Sequence, residues 1–466
     1  MEQTAVATND MSHLTPVRFG LTGLGGYAAY VCDRILEEHG SATPTAGLLA
    51  ICDPELERHA RRSQELQARG VHVVRTFEEL LNFDIEAVWL PLPIDLHRPY
   101  TEMALNAGKA VFCEKPAAGC VDDVDAMIAA RDRARLPVAI GFQDMYQPSL
   151  VALKRRIITG EFGAPVAATV IGCWPRSERY YGRNDWAGKF RRDGRWIMDS
   201  PASNALAHFM HLTLFLLGPA EGQSAPPVEV AAELYRANRI ENYDTCSLRY
   251  TLASGARVFV AYTHACNVNI DPIITVETDR GARIRYIAGR QIEILVGEKL
   301  EVLPLSSHPH RHMLAGFQQW VRNGIESSPG SSLEAARVHV VSVNAASEAA
   351  PVVDVPPSFI DVGPSSDNAL LRSIRNIVPA MQLAVSKKCL LGELAVAPWT
   401  APAGVLPING YSHFAGPHKP VAKPTTPGGP SGTSAAGRPS VSVTVQAQSS
   451  ATAAASLPKS VVPKPA

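Results

Sequence analysis

Several groups of residues in this 466-residue chain have types and spacings that do chemistry. Gly23-Leu24-Gly25-Gly26-Tyr27-Ala28 reads G-x-G-x-x-A. The first glycine permits a tight turn and the second lets backbone approach a pyrophosphate. The small Ala28 lets a following helix pack close to a strand, with the helix N-terminus facing the anion. Asp53 closes the run Leu48-Leu49-Ala50-Ile51-Cys52, 30 positions after Gly23 rather than the usual ~20, and the polar stretch 40–45 absorbs the extra length. An acid there accepts bonds from both ribose hydroxyls and repels a 2′-phosphate, which favours NAD over NADP. Lys115 stands in Phe112-Cys113-Glu114-Lys115-Pro116. A lysine held against a nicotinamide cation has a depressed pKa and can share a proton with a substrate hydroxyl or carbonyl. Read without the glycine motif, it is a surface lysine paired with Glu114.

From Trp174 to Trp196 the rings of Trp174, Tyr180, Tyr181, Trp186, Phe190 and Trp196 alternate with Arg176, Arg179, Arg183, Lys189, Arg191, Arg192 and Arg195. Flat rings stack on the C–H faces of a pyranose, and guanidinium forks suit carboxylate or phosphate. A sugar or cyclitol, neutral or acidic, is the expected ligand of Trp174, Tyr181, Trp186, Arg195 and Trp196. A half-buried loop or a subunit contact is the plain alternative. His308, His310 and His312 have strand spacing for a metal, but no adjacent acid or cysteine completes a shell, so a loop without metal is expected.

The elements that must position these residues follow from hydrophobic periodicity. Strands are predicted over 17–22, 48–52, 87–90, 110–113 and 138–141, with helices from the glycine turn to about Glu38, over 98–108 and over 121–134. That alternation implies a doubly wound α/β parallel sheet, a Rossmann domain over 17–150. Its carboxyl edge carries Leu92-Pro93-Ile94-Asp95-Leu96-His97 and the Glu114-Lys115-Pro116 turn, beside a bound dinucleotide. Beyond about residue 165, β-like runs at 228–230, 246–252, 257–263, 273–278, 283–287 and 293–296 predict a largely antiparallel sheet, and 333–349 a closing helix. The second domain, 151–350, is therefore of α+β class.

At this point the chain resembles the Gfo/Idh/MocA family of oxidoreductases. The residues that carry the resemblance are G-L-G-G-Y-A (23–28), A-I-C-D (50–53), L-P-I-D-L-H (92–97), V-F-C-E-K-P (111–116), G-F-Q (141–143) and I-T-G-E-F-G (158–163). The resemblance spans about 17–350. It implies bound NAD(P), an open C-terminal sheet that often serves as an oligomer interface, and hydride exchange with a carbinol on a sugar, sugar acid or inositol. It makes Gly23, Gly25, Gly26, Tyr27, Ala28, Asp53, Leu92, Pro93, His97, Glu114, Lys115 and Gln143 the cofactor contacts. It also makes Lys115 the residue that meets substrate beside the nicotinamide. The family follows with an Asp and a His four residues apart on a helix. Counting back from Leu216-Leu217-Gly218 puts these at Asn204 and His208, so the carboxylate is replaced by an amide. The i,i+4 spacing places both on one helix face, with Asn204 setting the imidazole or a substrate hydroxyl and His208 exchanging the proton. Asp199, outside that register, is a minor candidate for the missing acid, and His211 is structural. The expected catalytic set is Lys115, His208 and Asn204, all three also touching substrate. An NAD-dependent glycoside hydrolase, a non-catalytic dinucleotide sensor and a scaffold with an empty cleft are the alternatives.

Composition bounds the rest. Lys plus Arg and Asp plus Glu are both 44, giving zero net charge, so the basic surplus of a nucleic-acid binder is absent. The eight cysteines form no C-x-x-C pair and lie mostly in apolar runs, which fits a reducing compartment. No apolar stretch reaches bilayer length, so a cytoplasmic protein without membrane contact is expected. A homo-dimer or homo-tetramer is expected with it. Residues 1–16 read as a flexible terminus, 351–418 as an appendage packed on the body through Trp399 and 410–414, and 419–466, rich in Pro, Gly, Ser and Ala, as a disordered tail.

Overall fold

A computed structural model describes residues 15–324 and 331–418. Residues 1–14 and the tail from Lys419, including the alternating segment 440–445, lie outside the described residues. Six strands, β1 (Val17–Thr22), β2 (Ala46–Cys52), β3 (His72–Val74), β4 (Ala87–Leu90), β5 (Ala110–Cys113) and β6 (Val138–Ile140), form a parallel sheet in the order β3-β2-β1-β4-β5-β6. This is the doubly wound arrangement. Every residue of β4, β5 and β6 is buried, because crossover helices cover both faces. Their continuous apolar sequences are the direct consequence. The order reverses between β1 and β4, which opens a crevice at their carboxyl ends.

The second sheet has ten strands. They are β7 (Pro165–Cys173), β10 (Pro227–Arg236), β11 (Thr245–Leu252), β12 (Arg257–Thr263), β13 (Ile270–Thr278), β14 (Arg283–Ile287), β15 (Gln291–Val296), β16 (Lys299–Pro304), β17 (Val352–Asp354) and β20 (Gly404–Pro407). Pairing is antiparallel except for β7 with β12 and β10 with β17. Two small hairpins stand apart, β8 (Arg191–Arg192) with β9 (Arg195–Trp196), and β18 (Ile360–Pro364) with β19 (Leu370–Ile374). The first turns on Asp193-Gly194, both at positive φ (49° and 78°), as a two-residue turn with right-handed strand twist requires. The second-sheet elements predicted from sequence are present. Those that periodicity did not show are β7, β16, β17, β20 and the Pro309–Asn323 helix.

That helix corrects the reading of His308, His310 and His312. Pro309 sits at its first position, where a missing N–H costs nothing, so the histidines open a helix and do not lie in a loop. Among the described residues no group of three or more His, Cys, Asp or Glu could hold a metal ion. Phe317 of the same helix packs on Phe19 and Phe112 at 5.7 and 5.2 Å between ring centres, returning the second half of the chain onto the first sheet. The buried Leu333–Ala349 helix adds a second tie, with Asn344 accepting from Val121 N (2.9 Å) and donating to Gly119 O (3.0 Å).

Residues 351–418 cover part of the outer face of the large sheet. Ile377, Val378, Met381, Leu391 and Trp399 pack on Ile171, Cys173, Tyr235 and Ala261 as a second apolar core. Lys154, 1% exposed, caps the C-terminal end of the Ala207–Leu216 helix by donating from Nζ to the carbonyls of Phe215, Gly218 and Gln223. Lys154→Met removes all three bonds, leaving Phe215 O bonded to Gly218 N at 3.0 Å, and is expected to cost about 3 kcal/mol, read as a lower urea midpoint at unchanged slope. No helix among the described residues is long and apolar enough to cross a membrane.

Candidate active site

The glycine turn sits between β1 and the Gly26–His39 helix. Gly23 has φ +88°, and a Cβ there would stand 3.0 Å from the Cβ of Ala28, so the turn and the small sixth residue depend on each other. The helix N-terminus carries no side-chain cap and no acid in its first turn, leaving its N–H groups for an external anion. Asp53, 7% exposed, accepts from Leu24 N and Glu55 N, each at 2.7 Å. It therefore braces the glycine turn, and each carboxylate oxygen retains a lone pair for a further donor. Tyr27, Leu92, Pro93 and Gln143 are half-buried. An uncapped helix end, a glycine turn without side chains and an acid at the second strand end fit a dinucleotide. Gly23, Gly25, Gly26, Tyr27 and Asp53 would hold it, and it would supply hydride transfer at the carboxyl edge.

His97 departs from the cofactor contact expected of it. It is fully buried, with Nδ1 2.9 Å from Pro116 O and Nε2 2.9 Å from Leu92 O. The ring fills the space between the loops after β4 and β5 with both nitrogens turned to protein carbonyls, donating to one of them in its neutral form, so neither faces a ligand. Glu114, the residue before Lys115, is buried and accepts from Trp89 Nε1 at 3.1 Å and from Lys115 N at 3.3 Å. A Cβ at Gly141 would meet its carboxylate at 2.7 Å, so that glycine makes room for it. Burial pushes the Glu114 carboxyl up to about 7, against the pull of Lys115.

Lys115 Nζ donates to Asn204 Oδ1 at 2.9 Å and to Asn204 O at 3.0 Å. Asn204 Nδ2 in turn donates to Asp199 Oδ1 at 2.7 Å, and Gly188 N donates to the other oxygen of Asp199 at 2.6 Å. A carboxylate only accepts, so the amide nitrogen must face Asp199 and the amide oxygen must face the ammonium. Burial lowers the Lys115 pKa; Glu114 and Asp199 raise it, and Arg183 and Arg176 lower it. Met198, buried at φ +56°, precedes Asp199 and accepts from Ser203, fixing the bend that aims the carboxylate.

The paired face expected for Asn204 and His208 is not present. Pro201–Ala205 is a π-turn, with Leu206 N bonded to Pro201 O at 2.8 Å, and the α-helix begins again at Ala207. The extra residue breaks the α-helical i,i+4 register between the two, and Asn204 bonds Lys115 and Asp199. His208 Nδ1 is buried, 3.8 Å from Asp144 Oδ2, beyond hydrogen-bond range. Burial, then the charge on Lys115, lowers the His208 pKa well below the usual histidine range. Asp144, held up at about 6 by burial, accepts from Tyr286 OH at 3.2 Å. It directly follows Gly141-Phe142-Gln143, so adjacency to a recognised motif was the available signal. His211 stacks on Phe142 at 3.9 Å in the core.

On the expected substrate side, the ring of Trp174 stands edge-on to Phe209 with Nε1 donating to Asp271 at 3.0 Å. Trp186 lies under Arg183. Tyr181 lies beside Asp199 in a small cavity also lined by Tyr180, Tyr243 and His264. Trp196 differs from the free stacking platform expected of it, because Arg191 covers its ring at 3.5 Å and Phe414 packs against it at 4.8 Å. Arg195 is exposed on the same hairpin. Arg192 joins that hairpin to the Rossmann domain, donating to Asp95 from Nε (3.1 Å) and Nη2 (2.9 Å).

Residues 17–142 match the profile of the Gfo/Idh/MocA oxidoreductase family, NAD-binding Rossmann fold. An inositol 2-dehydrogenase of Rhizobium meliloti (strain 1021) is 25% identical over 322 residues, 67% of this chain and 87% of that protein. A D-apiose dehydrogenase of Paraburkholderia graminis is 28% identical over 260 residues, 53% of this chain and 63% of that protein. The WlbA dehydrogenase from Bordetella pertussis, solved with NADH and UDP-GlcNAcA, has a TM-score of 0.57 at 23% identity over 71% of this chain and 94% of that one, which shows a shared fold. Fold and cleft thus define an oxidoreductase with an NAD-binding Rossmann domain. Within that class the match to the Gfo/Idh/MocA family lies over the Rossmann domain, residues 17–142.

Proposed function

We propose that the protein oxidises or reduces a carbinol carbon of a sugar- or polyol-like substrate with NAD as partner. One observation carries the reading: the Lys115 ammonium is pinned on Asn204 at the sheet edge that the glycine turn serves. The names of the relatives, dehydrogenases of inositol and apiose, support the substrate class. A bound nicotinamide would supply the hydride acceptor for the carbinol carbon, so that a secondary alcohol and the oxidised cofactor would give a ketone, the reduced cofactor and a proton. Lys115 Nζ, with two of its three donors spent on Asn204, has one left for the reacting oxygen and stabilises negative charge developing there. Neutral His208 serves as the proton acceptor through Nε2, with its buried Nδ1 turned toward the Asp144 carboxylate, which stabilises the imidazolium that forms. Asp199 acts through Asn204 and positions the amine. The Asp53 carboxylate supports NAD over NADP by repelling a 2′-phosphate.

Incubation with NAD and a panel of sugars, sugar acids and inositols tests the reading at 340 nm. The expected result is one reduced nicotinamide per carbonyl formed. Cleavage of aryl glycosides without accumulated reduced cofactor would contradict it.

A further inference from the structure

Residues 351–418 build a cleft as well as a cover for the large sheet. In the β18–β19 hairpin Ile360 stands opposite Ile374 and Val362 opposite Arg372, so these four side chains share one face. At one end that face packs on the body: Ile374 is 2% exposed, and Ile360 joins the second apolar core. At the other end it is uncovered, with Val362 51% exposed and Leu370, on the same face, 48% exposed. A hairpin buries its apolar face where it can. Here part of that face stands over open space.

The space is a cleft of about 690 Å³, within the range of small-molecule sites. Its walls are the β10–β11 connection over 236–241, the chain at 354–362, and Arg372. These segments are separate from the glycine turn, the Glu114-Lys115-Pro116 turn and the His208 helix. Ile240, Val355, Pro357, Ile360 and Val362 give it an aliphatic surface. No aromatic ring lines it among the described residues, so a nucleobase or a pyranose finds no flat face to stack on.

Three guanidinium groups line the cleft against two carboxylates, those of Asp354 and Glu241. Arg236 is committed. Its Nε donates to Asp354 Oδ1 at 2.7 Å, and its Nη1 donates to the carbonyls of Ile240 and Glu241 at 3.0 and 2.6 Å. Those bonds offset Asp354 and hold the turn. Glu241 directs Oε2 to the backbone N–H of Phe190 at 3.3 Å. Arg239 is exposed and forms no ion pair among the described residues. Arg372 reaches Glu178 from Nη2 at 3.3 Å, and its Nε is buried without a partner. The excess positive charge and the unused donors therefore belong to Arg239 and Arg372, which sit on the two sides of an aliphatic slot.

We propose that this cleft binds a medium-chain aliphatic carboxylate, with its head at Arg239 and Arg372 and its chain against Ile240, Ile360 and Val362. The head satisfies guanidinium donors that the protein leaves unpaired. The chain covers the part of the hairpin face that the protein leaves bare. The proposal goes beyond the dehydrogenase reading and does not depend on it, because neither cofactor nor substrate takes part.

Isothermal titration of the full chain with octanoate, hexanoate, acetate and octylammonium tests it. Octanoate is expected to bind about tenfold more tightly than hexanoate, the scale of two buried methylenes, and acetate to give no measurable heat. Octylammonium carries the same chain with the opposite charge and is expected to bind about threefold or more weakly than octanoate. Arg239→Glu, an exposed substitution, is expected to reverse that order. Val362→Glu, on the facing wall, supplies the same comparison should Arg239→Glu not fold, and the urea midpoint reports the folded state of each. Absence of octanoate binding, equal affinity for octylammonium or acetate, or an octanoate affinity that neither variant changes would overturn the proposal.

Discussion

Lys115→Met is expected to lower kcat by about 10³-fold while dinucleotide affinity stays within about twofold, a split typical of removing one proton-handling group. The side chain reaches toward Asn204, and the glycine turn owes its shape to Gly23, Ala28 and Asp53. Methionine preserves length and apolar contact but donates nothing to the reacting oxygen or to Asn204. Stopped-flow reduction at 340 nm gives kcat, and quenching of protein fluorescence gives the dissociation constant. Arg at this position is not an adequate control, because a planar fork cannot reproduce the compact ammonium held by two oxygens of one residue.

Asp199→Asn is expected to lower kcat by roughly 10- to 100-fold, the scale of one charge-assisted hydrogen bond. The loss acts at a distance. An asparagine at 199 presents either oxygen or nitrogen to Asn204, so the amide no longer has a single orientation and its oxygen is released from Lys115. A second readout separates this role from a merely structural one. The groups that bear on Lys115 are Glu114 beside it in the chain, Asp199, Arg176 and Arg183 from the second domain, and the neighbouring His208 and His339. Asp199 raises the lysine pKa, so its neutralisation moves the pH limb owed to Lys115 toward lower pH. The exchange variant Asp199→Asn/Asn204→Asp returns a carboxylate directly beside the amine and is expected to move that limb back up and recover part of kcat. A structural defect at 199 would not be repaired by a second substitution at 204.

The legibility of the fold followed burial. Strands β4, β5 and β6 are covered on both faces, so their sequences are unbroken apolar runs and their bounds are evident. Strand β3 is three residues, His72–Val74, too short to show a period. Strand β16 escaped because it ends the large sheet, with Leu300 and Val302 exposed among charged neighbours. The Pro309–Asn323 helix was masked by its proline and histidines, which read as a loop when the proline is in fact its first position. The candidate site was legible where chemistry and motif coincide, as at Gly23–Ala28, Asp53 and Lys115. It was not legible where one extra residue changes direction. Asn204 and His208 keep i,i+4 spacing in sequence, yet the π-turn sends them to different partners. Asp199 and Asp144 arrive from segments with no fixed spacing to Lys115 or His208, so only packing brings them near.

The most direct test of this account follows isotope from carbon to cofactor. The best polyol from the substrate panel, deuterated at its carbinol carbon, is oxidised with NAD by the wild-type protein and by Lys115→Met, and the recovered dinucleotide is weighed by mass spectrometry. One deuterium is expected on the reduced nicotinamide from the wild type, and no detectable transfer from the variant in the same time. Unlabelled cofactor from the wild type, or equal labelling from both proteins, would contradict it.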